Sequence, residues 1–301
     1  MTATLLSLED GITRLSLAPE LGGSIVNWVV TATGQALLRP SDQQALDAAT
    51  PRRLACYPLV PWSNRIAGGG FAGPDGWFDL AANSPSDPLP IHGSAWQQPW
   101  QVSAQSATEI VLQLDSQLPF AYRAVQRFRL HGGRLDLDLQ VTHLDERAAW
   151  HGLGWHPYFP RTPHTRLRAA AKQVWHCDHS RLSTELATLP AAWNFEQARH
   201  LPAQQVDNAF AGWNGECQII QEDGGYQLDC CSDSPYYLLY CPTKQSPTKE
   251  SPTEQNFFCF EPVTHPVNAH HLPGRPGLRL LRHGQSSSLH FGLQYRPLSH
   301  S

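Results

Sequence analysis

Between Tyr122 and Thr142 the chain alternates apolar and polar residues so regularly that only a sheet can use the pattern. Leu135, Leu137, Leu139 and Val141 take the odd positions, while Asp136, Asp138, Gln140 and Thr142 take the even ones, which describes a strand with one dry and one wet face. Tyr122, Ala124, Phe128 and Leu130 alternate with Arg123, Arg127 and Arg129 just upstream, and Gly132-Gly133 between the two runs can supply the positive φ values of a tight hairpin. The pattern predicts further strands at Glu109 to Asp115 and Leu289 to Tyr295, and a second hairpin from Gln218 to Glu222 and Tyr226 to Cys230 around Gly224-Gly225. Tyr236 to Cys241 and Phe257 to Glu261 are unbroken apolar runs, which suit strands covered on both faces. With 25 prolines and 22 glycines, long helices are disfavoured, and only short ones are expected at Asp42 to Ala49 and Asn194 to Arg199. The expected fold is all-β: one large antiparallel β-sandwich spanning residues 1–301. Residues 242–256 read as three tandem pentapeptides, PTKQS, PTKES and PTEQN, without an apolar anchor, and are expected to form a flexible insertion loop.

The formal net charge of -4 and the presence of only three lysines, Lys172, Lys244 and Lys249, give no basis for nucleic-acid binding or for attraction to an anionic membrane. No apolar run is long enough to cross a bilayer, and Met1 to Asp10 lacks the shape of a secretion signal, so a cytoplasmic location is expected. Seven cysteines, an odd number with no C-x-x-C pair, read as small apolar fillers rather than disulfides or a zinc knuckle. His151 with His156, and His265 with His270 and His271, have spacings that zinc sites use, but each set lies among prolines and lacks a completing partner, so no metal is expected. Phosphate-cradling glycine loops and a nucleophilic serine elbow are also missing.

Five places carry polar groups for which a β protein has little structural use. His151-Gly152-Leu153-Gly154-Trp155-His156-Pro157-Tyr158-Phe159-Pro160 reads as a rigid aromatic turn that immobilises His156, because Pro157 restricts the residue before it. Imidazole is suited to proton transfer near neutrality. The alternative reading is a buried aromatic corner. Asn64-Arg65-Ile66 lies between a proline-aromatic run and a triple glycine, where Arg65 either binds a ligand or braces the loop. His92-Gly93 follows a proline-rich segment, and Asp207-Asn208 precedes an aromatic in a pattern that turns also use. Glu261 ends an apolar strand that holds no other ionisable group, and a carboxylate near a core is a catalytic candidate.

Taken in order, Asn64-Arg65-Ile66, His92-Gly93, His156-Pro157-Tyr158-Phe159, Asp207 and Glu261-Pro262 resemble the motifs of the aldose 1-epimerase (galactose mutarotase-like) family, over roughly Ile12 to Tyr295. The resemblance implies a galactose mutarotase-like supersandwich, a monosaccharide substrate and no cofactor, in a monomer or homodimer. It implies that Glu261 acts as general base on the anomeric hydroxyl and His156 as general acid on the ring oxygen, with Asn64, Arg65, His92, Tyr158 and Asp207 binding the sugar. On this reading the acid and base stand a sugar ring's width apart, and an imidazolium beside a carboxylate stabilises both charges. Trp96, Trp155, Tyr158 and Trp213 are candidates to stack on the sugar. Two departures leave the substrate open: Asn268 stands where many members carry an acid, and the pentapeptide insertion has no counterpart. A hexose 6-phosphate, which needs basic groups near the cleft, and a non-catalytic carbohydrate-binding role remain as alternatives.

Overall fold

The computed structural model describes residues 4–242 and 256–298. Two large antiparallel sheets dominate. The ten-stranded sheet runs in space Leu6–Glu9, Thr13–Ala18, Ser24–Val30, Cys56–Leu59, Gly154–Pro160, Phe257–Val263, Tyr236–Cys241, Val206–Ala211, Gln173–Cys177 and Ser183–Thr188. The nine-stranded sheet runs Phe195–His200, Arg166–Ala169, Glu216–Gln221, Tyr226–Ser232, Ser286–Pro297, Arg134–His143, Tyr122–His131, Glu109–Ser116 and Gln101–Gln105. One apolar core joins inward side chains of both, including Leu135, Leu137, Phe128 and Phe291 from the second sheet and Trp28, Phe159, Phe258 and Phe260 from the first.

Each predicted strand is present. Tyr122–His131 pairs with Arg134–His143, and Gly132 and Gly133 take φ values of 59° and 73°, the double left-handed turn that a two-residue hairpin requires. Arg123, Arg127 and Arg129 on its wet face pair with Asp115, Glu109 and Asp138.

Three local expectations change. Asn194 to Arg199 is not helical: Phe195–His200 is the outer strand of the nine-stranded sheet, because pairing with Arg166–Ala169 outweighs the helix preference of Glu, Gln, Ala and Arg. The short helix at Gln43–Asp47 does form, capped by the Asp42 side chain. The aromatic turn around His156 is instead a central strand, Gly154–Pro160, which is paired to Phe257–Val263 at Gly154 and again from Tyr158 onward, with Pro157 in the gap. Cys231 is no apolar filler: it is half-buried, and hydrogen bonds from His290 and Arg134, the latter at 3.3 Å, hold its thiol below the usual range. All but the two ends of the pentapeptide loop, Pro242 and Asn256, lie outside the described residues. Those ends are held by Arg161, which donates to the carbonyl of each.

Candidate active site

Period-two alternation places the site. In Phe257–Val263, Phe258 and Phe260 point into the core between the sheets, so Phe257, Cys259 and Glu261 point to the opposite face. By the same rule Trp155 and Phe159 face the core, and His156 and Tyr158 face away. The pairings Gly154 with Val263 and Tyr158 with Cys259 bracket His156 opposite Glu261 on adjacent strands. Val206 and Phe210 are core residues, which turns Asp207 outward beside Tyr240. His156, Tyr158, Asp207 and Glu261 thus line one cavity of about 930 Å³, with Asn64, Arg65 and His92 from the loops beside it. All seven predicted site residues meet there.

His156 Nε2 stands 3.3 Å from Glu261 Oε1. This is direct contact rather than separation by a sugar ring. The chemistry accommodates the correction, because the anomeric oxygen and the ring oxygen are bonded to the same carbon, so neighbouring acid and base reach both. The imidazole is stacked on Tyr57 at 4.6 Å and Tyr158 at 4.7 Å, and its Nδ1 has no hydrogen-bond partner among the described residues. Glu261 Oε2 is likewise buried without a partner, a costly arrangement for a carboxylate and an open valence for a ligand.

Burial decides the protonation of the pair. It pushes Glu261 well above the usual carboxylate range, with Asp207 adding to the rise and Arg65 opposing it. It holds His156 well below the usual imidazole value, with Arg52 and Arg39 contributing. Burial therefore favours the neutral pair, reversing the charged pair expected from sequence. The two forms differ by one proton moved across the contact. Cys259 joins them: one donor atom each from His156, Cys259 and Glu261 lies within 4.8 Å of the others. Burial keeps that thiol protonated too, so a metal ion would have to displace two protons to bind there.

The remaining residues form a braced ring. Arg65 Nε donates to Asp87 Oδ2 at 2.7 Å, and its Nη1 lies 3.1 Å from Asn64 Oδ1 and 3.9 Å from Asp207 Oδ2. Arg65 therefore both braces and faces the cavity. Asn64 and His92 adopt left-handed backbones (φ 58° and 64°), and the Asn64 N–H donates to His92 Nδ1 at 3.1 Å, which leaves the proton of a neutral His92 on Nε2. Tyr158 carries the Arg39 guanidinium 3.6 Å above its ring centre besides stacking on His156, and its hydroxyl lies 3.5 Å from that of Tyr57. Trp96, Trp155 and Trp213 are buried and do not line the cavity, because as core residues they fill space between elements. The aromatics that do are Tyr57, Tyr158, Tyr240 and Phe257. Asn268 has a structural use at φ 59°, where its side chain accepts from Ala67 N–H. Asp87, Arg39, Arg52, Arg53 and Arg181 line the cavity without having been anticipated; no local motif marks them.

Gly93 sets the position of His92. A Cβ there would stand 2.0 Å from Val60 O at φ +66°. Gly93→Ala is expected to cost on the order of 2–3 kcal/mol, measured by urea denaturation, and to weaken ligand binding as His92 is displaced. Unaltered stability would show that this loop can move aside.

A two-sheet antiparallel sandwich with a buried carboxyl–imidazole pair in a polar, aromatic-lined cavity defines a galactose mutarotase-like protein. The aldose 1-epimerase family model matches residues 4–294, and the chain belongs to that family. The uncharacterised Escherichia coli protein YphB is 32% identical over 297 residues, covering 97% of this chain and 98% of the relative. A crystal structure of a candidate aldose 1-epimerase from Escherichia coli K12 superposes with a TM-score of 0.90 at 31% identity, covering 98% of this chain and 99% of that one. Galactose 1-epimerase from Lactobacillus acidophilus shares the fold, with a TM-score of 0.80 at 13% identity over 98% of this chain and 95% of that one.

Proposed function

We propose that the protein is an aldose 1-epimerase that interconverts the α and β anomers of a monosaccharide without a cofactor. The observation that carries this reading is the 3.3 Å contact between two buried proton-transfer groups that open onto one cavity. The Glu261 carboxylate takes the proton of the anomeric hydroxyl. The C1–O5 bond breaks, and O5 takes its electron pair and a proton from His156 Nε2. Rotation about C1–C2 presents the other face of the aldehyde, and O5 re-attacks as it returns its proton to His156 and Glu261 returns its own to O1. Opening turns the carboxylate–imidazolium form into the neutral form, which is the one burial favours, and reclosure restores the charged form. Arg65, His92 and Asp207 supply donors and an acceptor for the ring hydroxyls, and Asn64 holds Arg65 in place.

Polarimetry on freshly dissolved α-D-glucose and α-D-galactose tests the reading: the protein is expected to accelerate the approach to equilibrium, unchanged after exhaustive treatment with EDTA. Binding of either sugar without acceleration would favour a carbohydrate-binding protein. Acceleration lost on chelation and restored by zinc would place a metal among His156, Cys259 and Glu261.

A further inference from the structure

The nine-stranded sheet carries none of the candidate site residues, yet its outer face holds a second cluster of reactive groups. Period-two alternation sets it out. Leu228 and Cys230, Leu135 and Leu137, and Leu289, Phe291 and Leu293 point into the core, so Cys231, Arg134, Asp136, Asp138, His290 and Gly292 lie on the opposite face. Register aligns Cys231, Gly292 and Asp136 in one row across three strands, and His290 and Asp138 in the next. Arg134 Nη2 donates to Cys231 Sγ at 3.3 Å and lies 2.7 Å from Asp136 Oδ1. His290 also hydrogen-bonds the thiol, while its Nδ1 stands 2.8 Å from Asp138 Oδ1. The other oxygen of Asp138 accepts from Arg129 at 2.6 Å. Gly292 permits the crossing: a Cβ there would stand 2.2 Å from Arg134 Nη2 and 2.9 Å from Cys231 Sγ, so a side chain on the intervening strand would push the guanidinium off the sulfur.

Two cationic donors on one sulfur favour the thiolate, which is the nucleophilic form. His290 is raised to about 10, first by its bond to Asp138, and is therefore an imidazolium at neutral pH. Cys231 is lowered by His290 and then by Arg134, against the opposing effect of burial. Glu216, its cross-strand partner, and Asp229, two residues back on its own strand, are the further charged groups on this face. The one other cysteine that is not fully buried, Cys177, offers the contrast: its thiol faces the carbonyls of Trp175 and Asp207, and burial raises it to about 11.

We propose that Cys231 is a modification site that reacts with hydrogen peroxide, with Arg134 holding the sulfur and His290 supplying the proton. A sulfur electron pair forms an S–O bond to one peroxide oxygen as the O–O bond breaks. The departing oxygen takes that bond's electron pair and a proton from His290, and leaves as water. Sulfur is oxidised by two electrons to a sulfenic acid, and the peroxide is reduced. Cys217 and Cys230 face the core, and Cys56, Cys177, Cys241 and Cys259 belong to the other sheet, so no second thiol stands ready to close an internal disulfide. The sulfenic acid therefore condenses with a small external thiol, losing water to give a reversible mixed disulfide.

The test follows each cysteine of the full chain by peptide mass spectrometry. At neutral pH iodoacetamide is expected to alkylate Cys231 at least about tenfold faster than Cys177, and the Cys231 rate to reach its plateau at a lower pH. After hydrogen peroxide, dimedone is expected to mark Cys231, and glutathione added in its place to leave a mixed disulfide there that dithiothreitol reverses. His290→Gln and Arg134→Gln are each expected to slow both reactions by about tenfold as the thiolate fraction falls. Cys231 alkylated no faster than Cys177, a peroxide-treated chain without a dimedone adduct at Cys231, or rates indifferent to both substitutions overturns the proposal. The contrast with Cys177 is internal to the unaltered chain and decides the matter if a variant fails to fold.

Discussion

Glu261→Gln is expected to lower kcat for anomer interconversion by about 10³-fold while KM changes little, because the substitution keeps the shape of the side chain and removes only its ability to take a proton. His156→Asn is expected to fall in the same range. The decisive measurement is the double variant. Each half-reaction needs one group to take a proton from the sugar while the other gives one, so either loss already interrupts the exchange, and removing both is expected to cost scarcely more than the worse single change. Rate losses that instead multiply would mean that the two groups act on separate steps. Single variants near the wild-type rate would remove both residues from the chemistry.

The same substitution separates function from stability. Glu261 is buried with one oxygen unpartnered, and its raised pKa means that ionisation is penalised in the folded state. Stability held while the carboxyl stays protonated is lost as pH rises through its folded value, so the inactive glutamine variant gains on the wild type toward alkaline pH. A residue that costs stability where it ionises is one whose role lies elsewhere than in the fold.

What the sequence reveals of this site follows from periodicity. Glu261 is legible because it interrupts an apolar run, and counting by twos from Phe258 and Phe260 places it on the face opposite the core. His156 is legible as an immobilised imidazole, but not as a strand residue, because prolines suggest a turn and only the pairing with Cys56–Leu59 and Phe257–Val263 shows a ladder that tolerates them. The spacing between acid and base is hidden in register: nothing within either segment states that residues 105 apart pair opposite one another. The helix expected at Asn194 to Arg199 fails for a related reason, since a strand at a sheet's edge takes its structure from its neighbour more than from its own preferences. The arginine group was out of reach altogether. Arg39 sits in a loop and Arg52 and Arg53 in a single 3-10 turn, Pro51–Arg53, and their convergence depends on a tie between one guanidinium and two distant carbonyls.

The fold is expected to be sharply acid-labile. His92, His151, His156, His265 and His270 are all buried, and burial lowers each of them, His265 to about 4. Their surroundings demand the neutral ring. His265 Nε2 accepts from Ser63 N–H at 3.0 Å and His92 Nδ1 accepts from Asn64 N–H, bonds that a second ring proton would break. In the unfolded chain the five rings titrate near their ordinary value of about 6.5, so below that pH the unfolded state takes up protons that the folded state refuses. Stability is full above this value and falls as pH drops toward the depressed folded values. Glu261 and Asp207 work the other way, because their raised folded pKa lets the folded state hold protons that the unfolded chain has not yet bound. They offset at most two of the five. The three protons that remain correspond to a loss of about 4 kcal/mol per pH unit. Two units of that slope consume about 8 kcal/mol, comparable with the whole stability of an ordinary domain, so cooperative unfolding is expected by about pH 4.5. Urea denaturation at successive pH values measures the slope directly. A slope below that of a single proton between about pH 6.5 and 5 would mean that these rings accept protons in place.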